Sequence, residues 1–157
     1  MKKKKKDLPL RNGVGIVVLN KKNQIFLAKR IDNPKNFWQM PQGGIDHGEE
    51  FFEAAIRELE EETSIKTVSL IKELDRSTTY LLPDHLVGII WKGKYKGQKQ
   101  KWFVVRFDGE EDEININTKN PEFLDWKWVN IDNLTDKVVN FKIHVYKKIQ
   151  RELYKII

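Results

Sequence analysis

Glu58, Glu61 and Glu62 stand at i, i+3 and i+4, a spacing that on a helix gathers three carboxylates into one patch. Like charges so placed repel by roughly 0.2–0.5 kcal/mol per pair. The pattern therefore marks either a solvated acidic face or a patch neutralised by a cation. Hard cations such as Mg²⁺ take oxygen ligands, commonly a few carboxylates together with substrate phosphates. The segment leading in, Gly43-Gly44-Ile45-Asp46-His47-Gly48-Glu49, is a glycine-rich turn. Gly43 and Gly44 let the backbone approach a ligand where a side chain would block it. Acid patch and open backbone together point to a metal site for phosphate chemistry.

A helix carrying such a patch must still bury another side. At 100° per residue, Phe52, Ile56 and Leu59 form an apolar stripe centred roughly 130° from the carboxylates. The spacing predicts a helix from about Glu49 to Thr63 that packs by this stripe and presents its acids. Arg57 lies four residues after Glu53 and four before Glu61, so it can pair with either.

From Gly43 to Ile65 the chain resembles the Nudix box: Gly43, Glu49, Arg57, Glu58, Leu59, Glu61, Glu62 and Ile65 fall at its fixed positions. A pattern of this length with so many fixed residues is far more specific than a lone glycine motif. One position departs, Ser64, where the pattern has glycine. It falls at the helix C-terminus, where glycine eases a left-handed cap, so serine is expected to cost stability without removing a metal ligand.

The elements around the box suit one domain. A chain of 157 residues is long enough to bury most of its apolar surface. It has no cysteine, which excludes disulfides and thiolate metal sites, and no apolar run of membrane-spanning length. Met1 is followed by five lysines, but Asp7, Pro9, Arg11 and Asn12 interrupt what would be a signal-peptide core. Residues 1–7 read as a flexible basic tail on a cytoplasmic protein, with residues 8–157 as the domain. Lysines 2 to 6 supply much of the net charge of +6, so basicity alone is modest evidence for a polyanionic partner.

Val14–Leu19 and Gln24–Lys29 read as strands joined by the turn Asn20-Lys21-Lys22-Asn23. Further strands are expected near Val68–Leu74, Leu86–Trp91, Trp102–Phe107 and Trp126–Val129. Asn140 is positioned to cap a last helix whose stripe is Val145, Ile149, Leu153 and Ile156. Strands, a helix, more strands and a closing helix suggest a mixed sheet between helices. The resemblance implies the same α/β fold class, an α/β/α sandwich with a mixed β-sheet.

Outside the box, Gly97-Gln98-Lys99-Gln100-Lys101-Trp102-Phe103 joins cations and amides to the start of an apolar strand. It could grip phosphate oxygens, or be an edge strand whose lysines discourage aggregation. This segment, Trp38-Gln39-Met40-Pro41-Gln42-Gly43-Gly44-Ile45 and Asn120-Pro121-Glu122-Phe123-Leu124-Asp125-Trp126-Lys127-Trp128 are similar to stretches of bacterial RNA pyrophosphohydrolases and the related dinucleoside tetraphosphate hydrolases.

That resemblance implies a metal set of Glu58, Glu61, Glu62 and Glu122 with a backbone carbonyl near Gly43. It implies two or more divalent cations, Mg²⁺ or another such as Mn²⁺, with Glu61 or Glu62 as the acid that takes a proton from water. It places Arg30 and Phe141 on either side of the first base, where planar faces suit stacking, and Tyr80 beside the nucleotide. Arg11, Lys142, Lys99 and Lys101 would meet the phosphates, and Gln42 and Gln98 would be among the substrate-binding residues. The activity implied is conversion of a 5′-triphosphate or diphosphate RNA end to a monophosphate, which promotes mRNA decay. Asymmetric hydrolysis of diadenosine tetraphosphate is the alternative, and a non-catalytic nucleotide- or RNA-binding module a third. A stimulating protein partner is left open. His47, His85 and His144 form no metal-ligand spacing, and no serine–histidine–acid set stands out, so water is the expected nucleophile.

Overall fold

Strand β1 (Leu10–Leu19) is apolar on both faces, and Val14 to Leu19 are all buried. A strand covered on both sides reads as a continuous apolar run rather than an alternation. In the computed structural model, which describes residues 4–32 and 35–157, β1 lies inside an eight-stranded mixed sheet. Its long partner is β7 (Gly97–Phe107), parallel from Leu10↔Gly97 to Leu19↔Arg106. On its other edge it meets β2 (Ile25–Arg30) at Leu19↔Ile25 and the short β4 (Gln42–Gly44) antiparallel at Gly13↔Gly44. β3 (Trp38–Gln39) and β8 (Phe123–Val129) extend the sheet beyond β2. β5 (Val68–Glu73) and β6 (Thr78–Leu81) share the far edge of β7.

Each face of this sheet has its own apolar cluster and its own helix. Val14, Ile16, Val18, Phe103 and Val105 pack under α1 (Phe51–Thr63) through Ala54, Ala55 and Leu59. Val17, Leu19, Trp102 and Val104 pack under α2 (Ile143–Ile156) through Val145, Tyr146, Ile149 and Leu153. The expected α/β/α sandwich is what forms, and α2 packs by the stripe of period 3.6 expected of it, whereas α1 packs by Ala54, Ala55 and Leu59, with Phe52 at the margin and Ile56 outside the cluster. Among the described residues no helix is long and apolar enough to cross a membrane.

Several elements differ from the sequence expectation. Leu86–Trp91 is not a strand: turns lead into a 3₁₀ helix at Ile90–Gly93. Gly88, Trp91, Lys92 and Gly93 all have positive φ there, which a strand cannot accommodate. Asn140 caps no α-helix; it lies in a 3₁₀ turn, Asn140–Lys142, that precedes α2. Strands β3, β4 and β6 were not expected, and β7 begins at Gly97 rather than Trp102. Helix α1 starts at Phe51, leaving Glu49 in the loop.

The basic N-terminus is engaged where it is described. Lys5–Asp7 form a 3₁₀ turn, and Lys5 Nζ donates to Leu82 O at 2.6 Å and to Asp84 Oδ1 at 3.1 Å. Lys2 and Lys3 lie outside the described residues.

Candidate active site

Strand β4 passes so close to α1 that a side chain at Gly43 would have to displace that of Glu58. A Cβ on Gly43 would lie 2.1 Å from Glu58 Cδ, far inside contact distance. The same pairing turns Gly44 to the other face, where a Cβ would lie 2.3 Å from Arg11 Nη2. One short strand thus sets an acid against its backbone on one side and a guanidinium on the other, as alternation in a strand dictates.

Arg57 organises the acids. Its guanidinium donates to both oxygens of Glu49 (Nε 2.8 Å, Nη2 3.0 Å), to Glu58 Oε1 (2.9 Å) and to the Gly44 carbonyl (3.0 Å). Glu61 lies 3.3 Å away, whereas Glu53, the other expected partner, forms no ion pair with it. The fork geometry of arginine lets one side chain span all these acceptors. Glu49 is held down at about 2 by its bonds to Arg57 and the Asp46 N–H, and Arg57 is raised in turn.

The three box glutamates do not share one environment. Glu61 is 59 % exposed and Glu58 17 %, while Glu62 is buried beside Ala55 and Leu59 on the core side of α1. The acid patch therefore wraps from solvent into the interior instead of facing away from the apolar stripe, and Ile56 is only half-buried. Burial raises Glu62 well above the usual carboxylate range, the charges of Glu122 and Glu58 add to this, and Arg30 and the Gln42 N–H oppose it. Glu58 is raised for the same leading reason, burial, which Arg57 partly offsets. Among the described residues Glu62 Oε2 is buried without a hydrogen-bond partner. An unpartnered carboxylate oxygen in low dielectric is costly, and a cation is the usual remedy.

Glu122 stands in the loop before β8, as expected of an acid approaching from outside the helix. With Glu58, Glu61, Glu62, Thr118 and Asn120 it lines a cleft of about 690 Å³. Among the described residues no three carboxylate or imidazole groups converge closely enough to cage an ion as they stand, since Arg57 holds Glu58 and Glu61. The donor chemistry nevertheless suits a hard cation. Glu62 offers a free oxygen, Glu58 and Glu122 are near enough to raise it, and the Gly43 carbonyl, on a residue paired with Val14 in the ladder, also meets Gln98 Nε2 at 3.5 Å.

On the opposite face of β4, polar side chains converge. Gln42 Oε1 accepts from Gln100 Nε2 at 2.8 Å and from Lys142 Nζ at 3.4 Å. Tyr80 OH donates to Gln98 Oε1 at 2.8 Å, and its ring meets Phe141 at 5.7 Å. Lys142 Nζ sits 5.0 Å from the Tyr80 ring centre. Burial lowers Lys142 to about 8, with Arg30 adding and Glu62 opposing, and burial lifts Tyr80 to about 12. Arg11 lies over the Trp91 ring at 5.2 Å.

Two groups of expected residues are otherwise engaged. Lys99 and Lys101 alternate with Gln98 and Gln100 along β7, so they point to the other face, and Lys101 pairs with Glu73 at 3.2 Å. Arg30 is bound bidentately by Asp32 at 2.8 and 2.9 Å. The sequence offered Gln100 only as part of segment 97–103, without a role of its own, and gave Asp32 and Trp91 no place in the site. For Gln100 a signal was present, because the period of two from Gln98 leads directly to it.

A mixed sheet between two helices, with a glycine strand laid against an acid-rich helix, is the Nudix architecture, and the NUDIX domain profile matches residues 9–149. The chain belongs to the NUDIX domain family. It is 63 % identical over 157 residues to the RNA pyrophosphohydrolase of Pelagibacter ubique (strain HTCC1062), covering 100 % of this chain and 99 % of that protein. It is 47 % identical over 146 residues to the RNA pyrophosphohydrolase of Rhodospirillum rubrum, covering 93 % and 88 %. Among solved structures, the E. coli dihydroneopterin triphosphate pyrophosphohydrolase superposes with a TM-score of 0.71 at 21 % identity, covering 93 % of this chain and 99 % of that one. A C. elegans Ap4A hydrolase gives 0.63 at 19 %, covering 91 % and 98 %. At such identities these two structures speak to the fold.

Proposed function

We propose that this chain is a cytoplasmic RNA 5′ pyrophosphohydrolase that converts 5′-triphosphorylated or diphosphorylated RNA to the 5′-monophosphate and so promotes mRNA decay. The observation that carries the reading is the full-length identity of 63 % to a protein of that name. The site's chemistry agrees: a buried carboxylate with a free oxygen lies near a buried lysine and an aromatic pair.

Glu58, Glu62, Glu122 and the Gly43 carbonyl would hold divalent cations, Mg²⁺ in the first instance and two or more per site, with Glu61 turning in from Arg57. Bound cations neutralise phosphate charge and lower the pKa of water. The protein's own share of phosphoryl transfer is mainly positioning and charge balance. Lys142, Gln42 and Gln98 donate to phosphate oxygens from one face, and Arg11 reaches them past Gly44. Phe141 stacks on the first base, and Arg30 joins it once released from Asp32. Water adds to a phosphorus, the anhydride P–O bond breaks so that pyrophosphate (or phosphate, from a diphosphate end) leaves, and the water proton passes to Glu61 or Glu62. The base is the residue whose glutamine variant keeps the metal-induced rise in Tm but loses turnover.

Diadenosine tetraphosphate needs the same cations and the same grip, so it is the rival substrate. Parallel assay of triphosphorylated RNA, nucleoside triphosphates and diadenosine tetraphosphate, with and without Mg²⁺, separates the readings. A kcat/KM highest on RNA and strictly metal-dependent is expected. A clearly higher value on diadenosine tetraphosphate would overturn the assignment.

A further inference from the structure

The seam between β6 and α2 begins inside the candidate site, where Phe141 packs on Tyr80. It is bridged by His144 Nε2 on the Thr79 carbonyl at 2.7 Å. Beyond that bridge it opens into a groove of about 460 Å³, floored by Leu74, Thr78 and Ile149. The catalytic reading gives this groove no task. Its walls carry Arg76 from the β5–β6 connection and Lys148, Arg151 and Lys155 from α2, against Asp75 and Glu152. Glu152 is already occupied by Lys155 at 3.3 Å. Among the described residues Arg76, Lys148 and Arg151 form no ion pair, and all three are exposed.

The helix pattern explains the stripe. His144, Lys148, Arg151 and Lys155 recur at i, i+4, i+7 and i+11, which aligns them along one side of α2 beside the buried row Val145, Ile149 and Leu153. From Lys142 to Arg151 the helix advances about 14 Å at ~1.5 Å per residue. A strand whose first nucleotide sits at Phe141 would span that length with a few nucleotides. The opposite exit is unfavourable, because the acid cleft presents five glutamates against two lysines. A polyanion leaving the site is repelled on that side and attracted along α2.

We propose that this groove is a backbone-binding track for the RNA strand downstream of the nucleotide held in the site. The proposal rests on the RNA reading above. The groove offers cations and no aromatic platform, so it grips phosphates without reading sequence. It sets chain length, rather than base identity, as what distinguishes RNA from a dinucleotide at this enzyme.

The test combines Arg76→Gln, Lys148→Gln and Arg151→Gln in the full chain, with Tm as the check on folding. Substrates are triphosphorylated RNA of ~12 nucleotides, within the usual span of a single-strand binding groove, a triphosphorylated dinucleotide, and diadenosine tetraphosphate. The variant should raise KM about tenfold for the long RNA at low salt and leave both short substrates unchanged. In equilibrium binding of 5′-monophosphorylated RNA of the same length, the slope of log K against log salt should flatten by about 2, at ~0.7 for each phosphate no longer neutralised. An unchanged slope, or equal losses on long and short substrates, would overturn the track. So would tighter binding of polyglutamate than of RNA to the unmodified protein, which would assign the groove to an acidic protein surface. If the unmodified enzyme hydrolyses neither RNA, the function fails as a reading, while the binding slope still decides the groove.

Discussion

Glu62 is a carboxylate in a place where apolar side chains are usual. Its pKa is raised by burial, so the folded state holds its proton more tightly than the unfolded state does. Stability associated with neutral Glu62 is present at low pH and is lost as pH rises toward the elevated folded value. Glu62→Gln removes that loss and should stabilise the cation-free protein at neutral pH by about 1–3 kcal/mol, the scale of an unpartnered buried polar group. The same change should abolish the Mg²⁺-dependent rise in Tm and most turnover. Thermal unfolding of both proteins at pH 5 and pH 8, with and without Mg²⁺, checks this. A variant no more stable than its parent in the absence of cation, yet normal in activity, would remove Glu62 from the site. Lys142 gives a second titration. Its ammonium is lowered to about 8 by burial, so its charge fades as pH passes that value. KM for triphosphorylated RNA should rise between pH 7 and pH 9, and Lys142→Met should show a high KM with no such dependence. A parallel profile in the variant would mean another group is responsible.

Helix α1 ends on Ser64, whose φ of 66° is left-handed, as the box glycine position demands. The strain a serine should feel there is offset by its hydroxyl, which donates to the Asn115 carbonyl at 2.8 Å. Ser64→Ala keeps the strain and loses the bond, so it should cost about 0.5–1.5 kcal/mol. Ser64→Gly loses the bond but relieves a left-handed cost of ~1–2 kcal/mol, so it should be close to neutral. Denaturant unfolding of both variants decides it, and a glycine variant as destabilised as the alanine one would show that the cap is unstrained. This element also shows what was legible in advance. Period and box spacing gave α1, its C-terminus and its acid-bearing character, because all three follow from neighbours in the chain. The depth of Glu62 was not legible: it depends on where β4 crosses the helix, and β4 is three residues whose pairing with Gly13, Val14 and Gly15 is set by the sheet. Leu86–Trp91 misled for a related reason: an apolar run specifies neither a strand nor burial, and here its side chains are only partly covered, with Ile89 exposed. Its residues instead curl under Arg11 and around Gly88. Gln98 and Gln100 were visible as polar positions opening an apolar strand, but their separation from Lys99 and Lys101 follows from strand alternation.

Across the whole molecule, charge is divided by the sheet: acids on α1 and the loop before β8, cations on α2 and at the N-terminus. That division gives a long polyanion and a short one different experiences of the same protein. Lys5 is fixed at the end of β6 by Leu82 O and Asp84, so any contribution of Lys2, Lys3 and Lys4 starts from that edge of the sheet. Deleting residues 2–4 removes three positive charges without touching Lys5. Charges of this kind act within a Debye length of about 8 Å at physiological salt and farther at low salt. The truncation should therefore weaken binding of RNA of ten or more nucleotides by a few fold at ~0.01–0.05 M salt and hardly at ~0.3 M. Hydrolysis of diadenosine tetraphosphate should be unchanged at either salt. Equal losses on both substrates would place the effect in the fold or the site, through Lys5 and the loop beside Arg11. If neither substrate responds, those lysines contribute solubility, and length discrimination rests on α2 alone.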